Sequence, residues 1–147
     1  MHCTVRWGGP GTMRFIAETG SGHLAVMDGA PEGGGHNLAP RPMETVLAGT
    51  GGCTAYDVVL ILKRGRHDVR SCEVRVEADR APQDPKVFTH IRFHFTVRGK
   101  SLKREAVERA VHLSHEKYCS ASVMLAKTAQ LDYSIEVVDE NAPPDAP

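Results

Sequence analysis

Hydrophobic and polar positions along this chain change period several times, and each change marks an element. From Thr45 to Leu62 the run is almost wholly apolar, and its only charge is Asp57. That pattern predicts a helix that begins near Pro42 or Met43. Pro is favoured in a first helical turn, and Glu44 suits the positive end of the helix dipole. Lys63 and Arg64 followed by Gly65 give a C-terminal stop. Gly49, Gly51 and Gly52 lie inside the run, where each costs roughly 1 kcal/mol relative to Ala. We read one continuous helix, with the glycines admitting another backbone, ahead of two short helices with a break between them.

Such a run belongs either in a bilayer or in a core. A membrane span needs about 20 apolar residues. A carboxylate at mid-membrane costs at least about 2.5 kcal/mol, so Asp57 argues for burial in protein and against a membrane.

Elsewhere the period is two. His2 to Trp7, Met13 to Glu18 and His23 to Asp28 read as short strands of a meander, separated by Gly8-Gly9-Pro10-Gly11 and Gly20-Ser21-Gly22. Asp28 to Pro42 is a Gly- and Pro-rich loop, long enough to suggest function or mobility. Asp68 to Asp79 and Phe88 to Arg98 alternate as two half-buried strands. Ile91, Phe93, Phe95 and Val97 share one face, and the central helix is their expected cover. Leu102 to Tyr118 is amphipathic, with Ala106, Val107, Ala110, Val111 and Leu113 or Ser114 at helical spacing. A helix from about Ser120 to Gln130 and a strand from Leu131 to Val138 follow. Strands and helices are thus segregated, which predicts an α+β fold with antiparallel sheets and no helical crossovers. Residues 1–138 read as a single domain, and the proline-rich 139–147 segment as a disordered tail.

Composition narrows the function. Lys plus Arg and Asp plus Glu are 18 each in 147 residues, so nothing draws the chain to nucleic acid. Residues 1–15 lack the apolar core of a secretory signal, which suggests a cytoplasmic protein with reduced thiols. Cysteines stand at 3, 53, 72 and 119, with no Cys-X-X-Cys pair and no zinc-finger spacing. Each is then a small buried hydrophobe or a reactive group. Cys53 follows two glycines that leave room around its sulfur, yet a lone Cys on an apolar helix is more often core. Cys119 follows His115, Lys117 and Tyr118 at a helix junction, where cations favour a thiolate. A small residue filling the corner explains it equally well. Cys3 and Cys72 read as structural. His36, His112 and His115 form no convergent set, so no metal is expected, and no cofactor.

The string PMETVLAGTGGCTAYDVVLILKR, with EKYCSASVML later, resembles the OsmC/Ohr family of osmotically induced and organic-hydroperoxide-resistance proteins, and most closely its OsmC-like branch. The shared features are the P-x-E segment, the nine-residue step from Glu44 to Cys53, and a second Cys in K-Y-C-S after an amphipathic helix. The resemblance implies an intertwined homodimer, with antiparallel sheets wrapped around long central helices and active sites at the interface. It implies a peroxidatic Cys53, a resolving Cys119 and an active-site acid at Glu44. The substrate would be an organic hydroperoxide and the reductant an external dithiol. The Arg that pairs with the acid in the family's peroxidases has no motif here, and Arg14 and Arg41 are the candidates. Asp57 departs from expectation, because four residues separate it from Cys53 on one helix face and a carboxylate there opposes a thiolate. The competing readings are a non-catalytic dimer that holds a small hydrophobe at its interface, and a structural dimer with inert thiols.

Overall fold

The computed structural model of the chain describes residues 1–141. They fall into two compact units, residues 1–48 and residues 49 onward. Residues 142–147, most of the expected tail, lie outside the described residues.

In the first unit, β1 (Cys3–Trp7), β2 (Phe15–Thr19) and β3 (Leu24–Met27) form an antiparallel meander in the order β1-β2-β3. Trp7 pairs with Phe15, and Phe15 with Met27. Val5, Trp7, Leu24 and Val26 remain exposed. The Gly-rich loop after β3 is organised around one carboxylate. Asp28 is buried and accepts the backbone N–H groups of Gly29 at 2.8 Å, His36 at 3.2 Å and Leu38 at 3.1 Å. Gly35 is required there, since a Cβ on it would stand 2.0 Å from the Gly29 carbonyl oxygen. The Leu38 amide bond, with those from Gly29 and His36, holds the Asp28 carboxyl below its ordinary range against the opposing effect of burial.

Helix α1 runs unbroken from Pro42 to Arg64, as the continuous-helix reading expects. Glu44 has a local task at its start, where its carboxylate accepts the Arg41 N–H at 2.9 Å. This is one arm of a capping box. The stop differs from expectation by one residue. His67 N–H bonds to Leu62 O at 3.0 Å and Arg66 N–H to Lys63 O at 2.9 Å, the two bonds of a Schellman motif. The left-handed residue is therefore Arg66, with φ 60°, and not Gly65.

In the second unit, β4 (Asp68–Arg80), β5 (Phe88–Lys100) and β6 (Gln130–Asp139) form a sheet in the order β4-β5-β6. β4 and β5 are antiparallel, whereas β5 and β6 are parallel from His90↔Gln130 to Gly99↔Asp139. The expectation of wholly antiparallel sheets without crossovers is thus corrected. A parallel neighbour needs a connection of about a dozen residues or more. The segment of α2 (Arg104–Leu113), a π turn (Ser114–Tyr118) and α3 (Ser120–Leu125) supplies it. The helix expected through Tyr118 becomes a π turn at Ser114, and the one expected to reach Gln130 ends at Leu125.

The core of this unit lies on one face of β5, where Ile91, Phe93, Phe95 and Val97 are at most 1% exposed. Val107, Ala110 and Val111 of α2 are buried too. On α1, Thr50, Thr54, Val58 and Leu62 repeat every four residues and are buried. Only one of the three glycines in this stretch marks a close approach. A Cβ on Gly51 would meet Val76 Cγ2 of β4 at 3.0 Å, while one on Gly49 or Gly52 would meet nothing. The neighbour is a side chain, not the backbone that the sequence suggests. By length and composition alone α1 is apolar enough to cross a membrane.

Candidate active site

The repeat of four along α1 that buries Thr50, Thr54 and Val58 places Cys53 and Asp57 side by side on a neighbouring, half-buried strip. Cys119 arrives from 66 residues later because the π turn ends there. Its N–H bonds to the Ser114 carbonyl at 2.8 Å, five residues back, which is the π-helical step. Cys119 then serves as N-cap of α3, with extended backbone and a fully buried side chain. As a result the Cys53 sulfur, the Cys119 sulfur and an Asp57 carboxylate oxygen all lie within 4.8 Å of one another. Both thiols are free.

Hydroxyls connect this cluster to the core. Ser114 Oγ lies 2.9 Å from Thr54 Oγ1, 3.3 Å from Asp57 Oδ2 and 3.4 Å from the Thr54 carbonyl oxygen. Ser114 has one proton to donate, so the Thr54 hydroxyl donates to it and it faces the carboxylate. Cys119 Sγ accepts from Ser122 N–H at 3.4 Å and from Ser122 Oγ at 3.2 Å. Burial pushes the Cys119 thiol up, and so does its hydrogen bond with Cys53; the two Ser122 donors pull it down. No ion pair among the described residues involves Asp57.

Of the residues singled out from sequence, the second unit brings together Cys53, Asp57 and Cys119. Glu44, Arg41 and Arg14 belong to the first unit. Glu44 is exposed and engaged at the start of α1. Arg41 is exposed and offers its backbone N–H to Glu44, while Arg14 sits in the turn before β2, where its N–H donates to Thr12 Oγ1 at 3.0 Å. Neither guanidinium is in the ion pairs of the described residues. Cys3 is exposed, and Cys72 is half-buried opposite Val97, where burial pushes its thiol up.

Sequence reasoning missed Ser114, Thr54 and Ser122. One signal was available for Ser114, a polar residue at an apolar position of the α2 repeat. It also missed the setting of His115. That ring stacks on Tyr133 at 5.0 Å and meets Phe93 and Phe95 edge-on. Both its nitrogens are buried without a partner, and burial lowers its pKa to about 4.

Residues 34–134 match the family model described as OsmC-like protein. The chain is 47% identical over 138 residues to Protein YhfA of Escherichia coli K12, covering 94% of this chain and 98% of that one. A solved structure from structural genomics is 46% identical with a TM-score of 0.84, covering 95% of this chain and 99% of the other. The organic hydroperoxide resistance protein OsmC of Legionella pneumophila is 19% identical with a TM-score of 0.69, covering 93% and 98%. At that identity the likeness speaks for the fold alone.

Proposed function

This chain belongs to the OsmC-like protein family, and from that premise we propose that it is a thiol-dependent peroxidase acting on organic hydroperoxides. The observation that carries the reading is the meeting of Cys53 and Cys119, whose sulfurs lie within 4.8 Å across 66 residues of sequence. A disulfide needs a sulfur separation of about 2.0 Å, so the pair has at most about 3 Å to close.

Cys53, less buried than Cys119, is the attacking thiol. Its thiolate takes the terminal peroxide oxygen, the O–O bond breaks, and the alkoxide leaves as alcohol after taking up a proton. Cys53 is then a sulfenic acid. Cys119 displaces its oxygen as water and forms the disulfide, which halts further oxidation. An external dithiol restores both thiols by exchange and is itself oxidised. The family resemblance implies that Glu44 is the active-site acid and that Arg14 or Arg41 pairs with it and steadies the thiolate. In this chain Glu44 also caps α1, so its loss acts on the helix start as well as on chemistry. The dimer belongs to the same proposal, and the exposure of Val46, Tyr56, Val123 and Met124 supports it. So does a cytoplasmic setting, where dithiol reductants keep Cys53 and Cys119 reduced.

The test is mass spectrometry of the reduced protein after one equivalent of cumene hydroperoxide. A Cys53–Cys119 disulfide is the expected product, and Cys53→Ser should lower peroxide loss with a dithiol to background. Untouched thiols would remove the peroxidase reading and leave a non-catalytic binder of a small hydrophobe. That alternative keeps ligand binding in Cys53→Ser.

A further inference from the structure

The same cluster has the makings of a cation site, which the wide Cys spacing hid. We propose that Cys53, Asp57 and Cys119 form a three-ligand site for a thiophilic divalent cation, with Zn²⁺ the ion that fits. The proposal does not rest on peroxide chemistry, although it uses the same thiols.

Geometry supports it first. The three donor atoms lie within 4.8 Å of one another. Bonds of about 2.3 Å to sulfur and about 2.1 Å to oxygen put ligand atoms about 3.5–3.8 Å apart in a tetrahedron. Closing the cluster by about 1 Å therefore brings the three donors to tetrahedral spacing. Cys53 and Asp57 sit four apart on one rigid helix, the spacing by which a helix presents paired ligands to a metal. Cys119 comes from the N-cap of α3, so two elements hold the ion.

The supporting shell is also present. Ser114 Oγ faces Asp57 Oδ2 at 3.3 Å, and Ser122 donates twice to the Cys119 sulfur. Outer hydrogen bonds of this kind orient ligating groups and tune them. Donor chemistry selects the ion, since two thiolates and one carboxylate favour Zn²⁺ over Mg²⁺ or Ca²⁺. Charge points the same way. Asp57 has no cationic partner among the described ion pairs, and a divalent ion compensates a carboxylate and two thiolates while displacing the thiol protons. Three protein ligands leave one position for water or an exogenous donor. A loaded site ties up both thiols, so cation and hydroperoxide exclude one another.

The experiment uses the reduced, metal-free full chain in a Cys3→Ser/Cys72→Ser background, titrated with Co²⁺ as a spectroscopic stand-in and then with Zn²⁺. The expected result is one equivalent of Co²⁺ with tetrahedral visible bands and thiolate-to-cobalt charge transfer, displaced by Zn²⁺. Asp57→Asn should keep the charge transfer and weaken affinity at least about tenfold, and Ser114→Ala about 10–100-fold. Zn²⁺ should also protect Cys53 and Cys119 from a maleimide. Absence of charge transfer at stoichiometric Co²⁺ overturns the site. So does unchanged affinity in Asp57→Asn, which would reduce it to a bare thiol pair. The cumene hydroperoxide experiment on the metal-free protein reads the peroxidase separately. Thiols that oxidise without binding Co²⁺ sink only the cation site, and thiols that bind Co²⁺ but ignore peroxide sink only the peroxidase.

Discussion

Asp28 and Asp57 are both withdrawn from water, and the protein treats them in opposite ways. Asp28 is 1% exposed and accepts three backbone amides of the Gly-rich loop around it. Asp57 is half-buried and has one hydroxyl partner, with two sulfurs as its other neighbours. A carboxylate whose two oxygens are both engaged by the main chain is finished structure. One that is left short of partners beside two thiols still has bonding capacity. The contrast separates a carboxylate engaged by the main chain from one beside two thiols, although both are single acids in sequence.

The largest expected loss follows from removing the finished carboxylate. Asp28→Ala strands three amide donors of the loop. Proteolysis within 29–41 should accelerate on the order of tenfold or more, while the metal-free thiols react as before. Because the folded Asp28 holds its proton less tightly than its ordinary 3.8, its contribution is present above that pH. It is lost as pH falls below 3.8 through the folded value. By contrast, Asp57→Asn should leave thermal stability nearly unchanged and speed alkylation of the thiol pair, since a negative neighbour is removed. Equal destabilisation by the two substitutions would erase the distinction.

Ser114→Ala comes next. It leaves the buried Thr54 hydroxyl and Asp57 without their shared partner, at a cost of about 1–3 kcal/mol in chemical denaturation. A Ser114→Thr variant that restores stability but not cation affinity would divide the structural role of that hydroxyl from its orienting role.

His115 extends the contrast to a base. Its nitrogens are buried without partners among three aromatic rings, and its pKa falls to about 4 from 6.5. The unfolded chain takes the proton more readily. Stability is therefore full above pH 6.5, declines as pH falls from 6.5 toward 4, and levels below that. The ring is partly open to solvent, which screens the charge, so the loss should be about 1 kcal/mol. His115→Phe should raise stability by about 1 kcal/mol and flatten this acid limb in denaturation midpoints between pH 7 and 4.

These groups also show which parts were legible in sequence. Period-two alternation located β4 and β5 and their inner face, because Ile91, Phe93, Phe95 and Val97 are buried by a rule local to the strand. The apolar run located α1 for the same reason. The parallel pairing of β6 was not legible, since strand direction depends on how α2, the π turn and α3 cross, and no local pattern encodes that. The meeting of Cys53 with Cys119 came from family resemblance, because 66 residues separate them and spacing is silent about the π turn that joins them. Asp57 was recognised as discordant, but its partner Ser114 lies 57 residues away in sequence, beyond the reach of spacing.

The smallest effect concerns backbone, and again opposes a satisfied group to one left under strain. The hydrogen bonds that end α1 are complete, yet the residue that must turn left-handed is Arg66, at φ 60°. Non-glycine residues pay about 1–2 kcal/mol for that conformation, and part of the gain from relieving it is lost to the greater freedom of glycine in the unfolded chain. Arg66→Gly should therefore raise stability by about 0.5–1 kcal/mol, read as a higher denaturation midpoint with an unchanged slope. Gly65→Ala should not match it, because the left-handed turn stays at Arg66. A Cβ at position 65 would press on the His67 ring at 2.9 Å. If Gly65→Ala stabilises the chain and Arg66→Gly does not, the helix ends where the sequence first placed its stop.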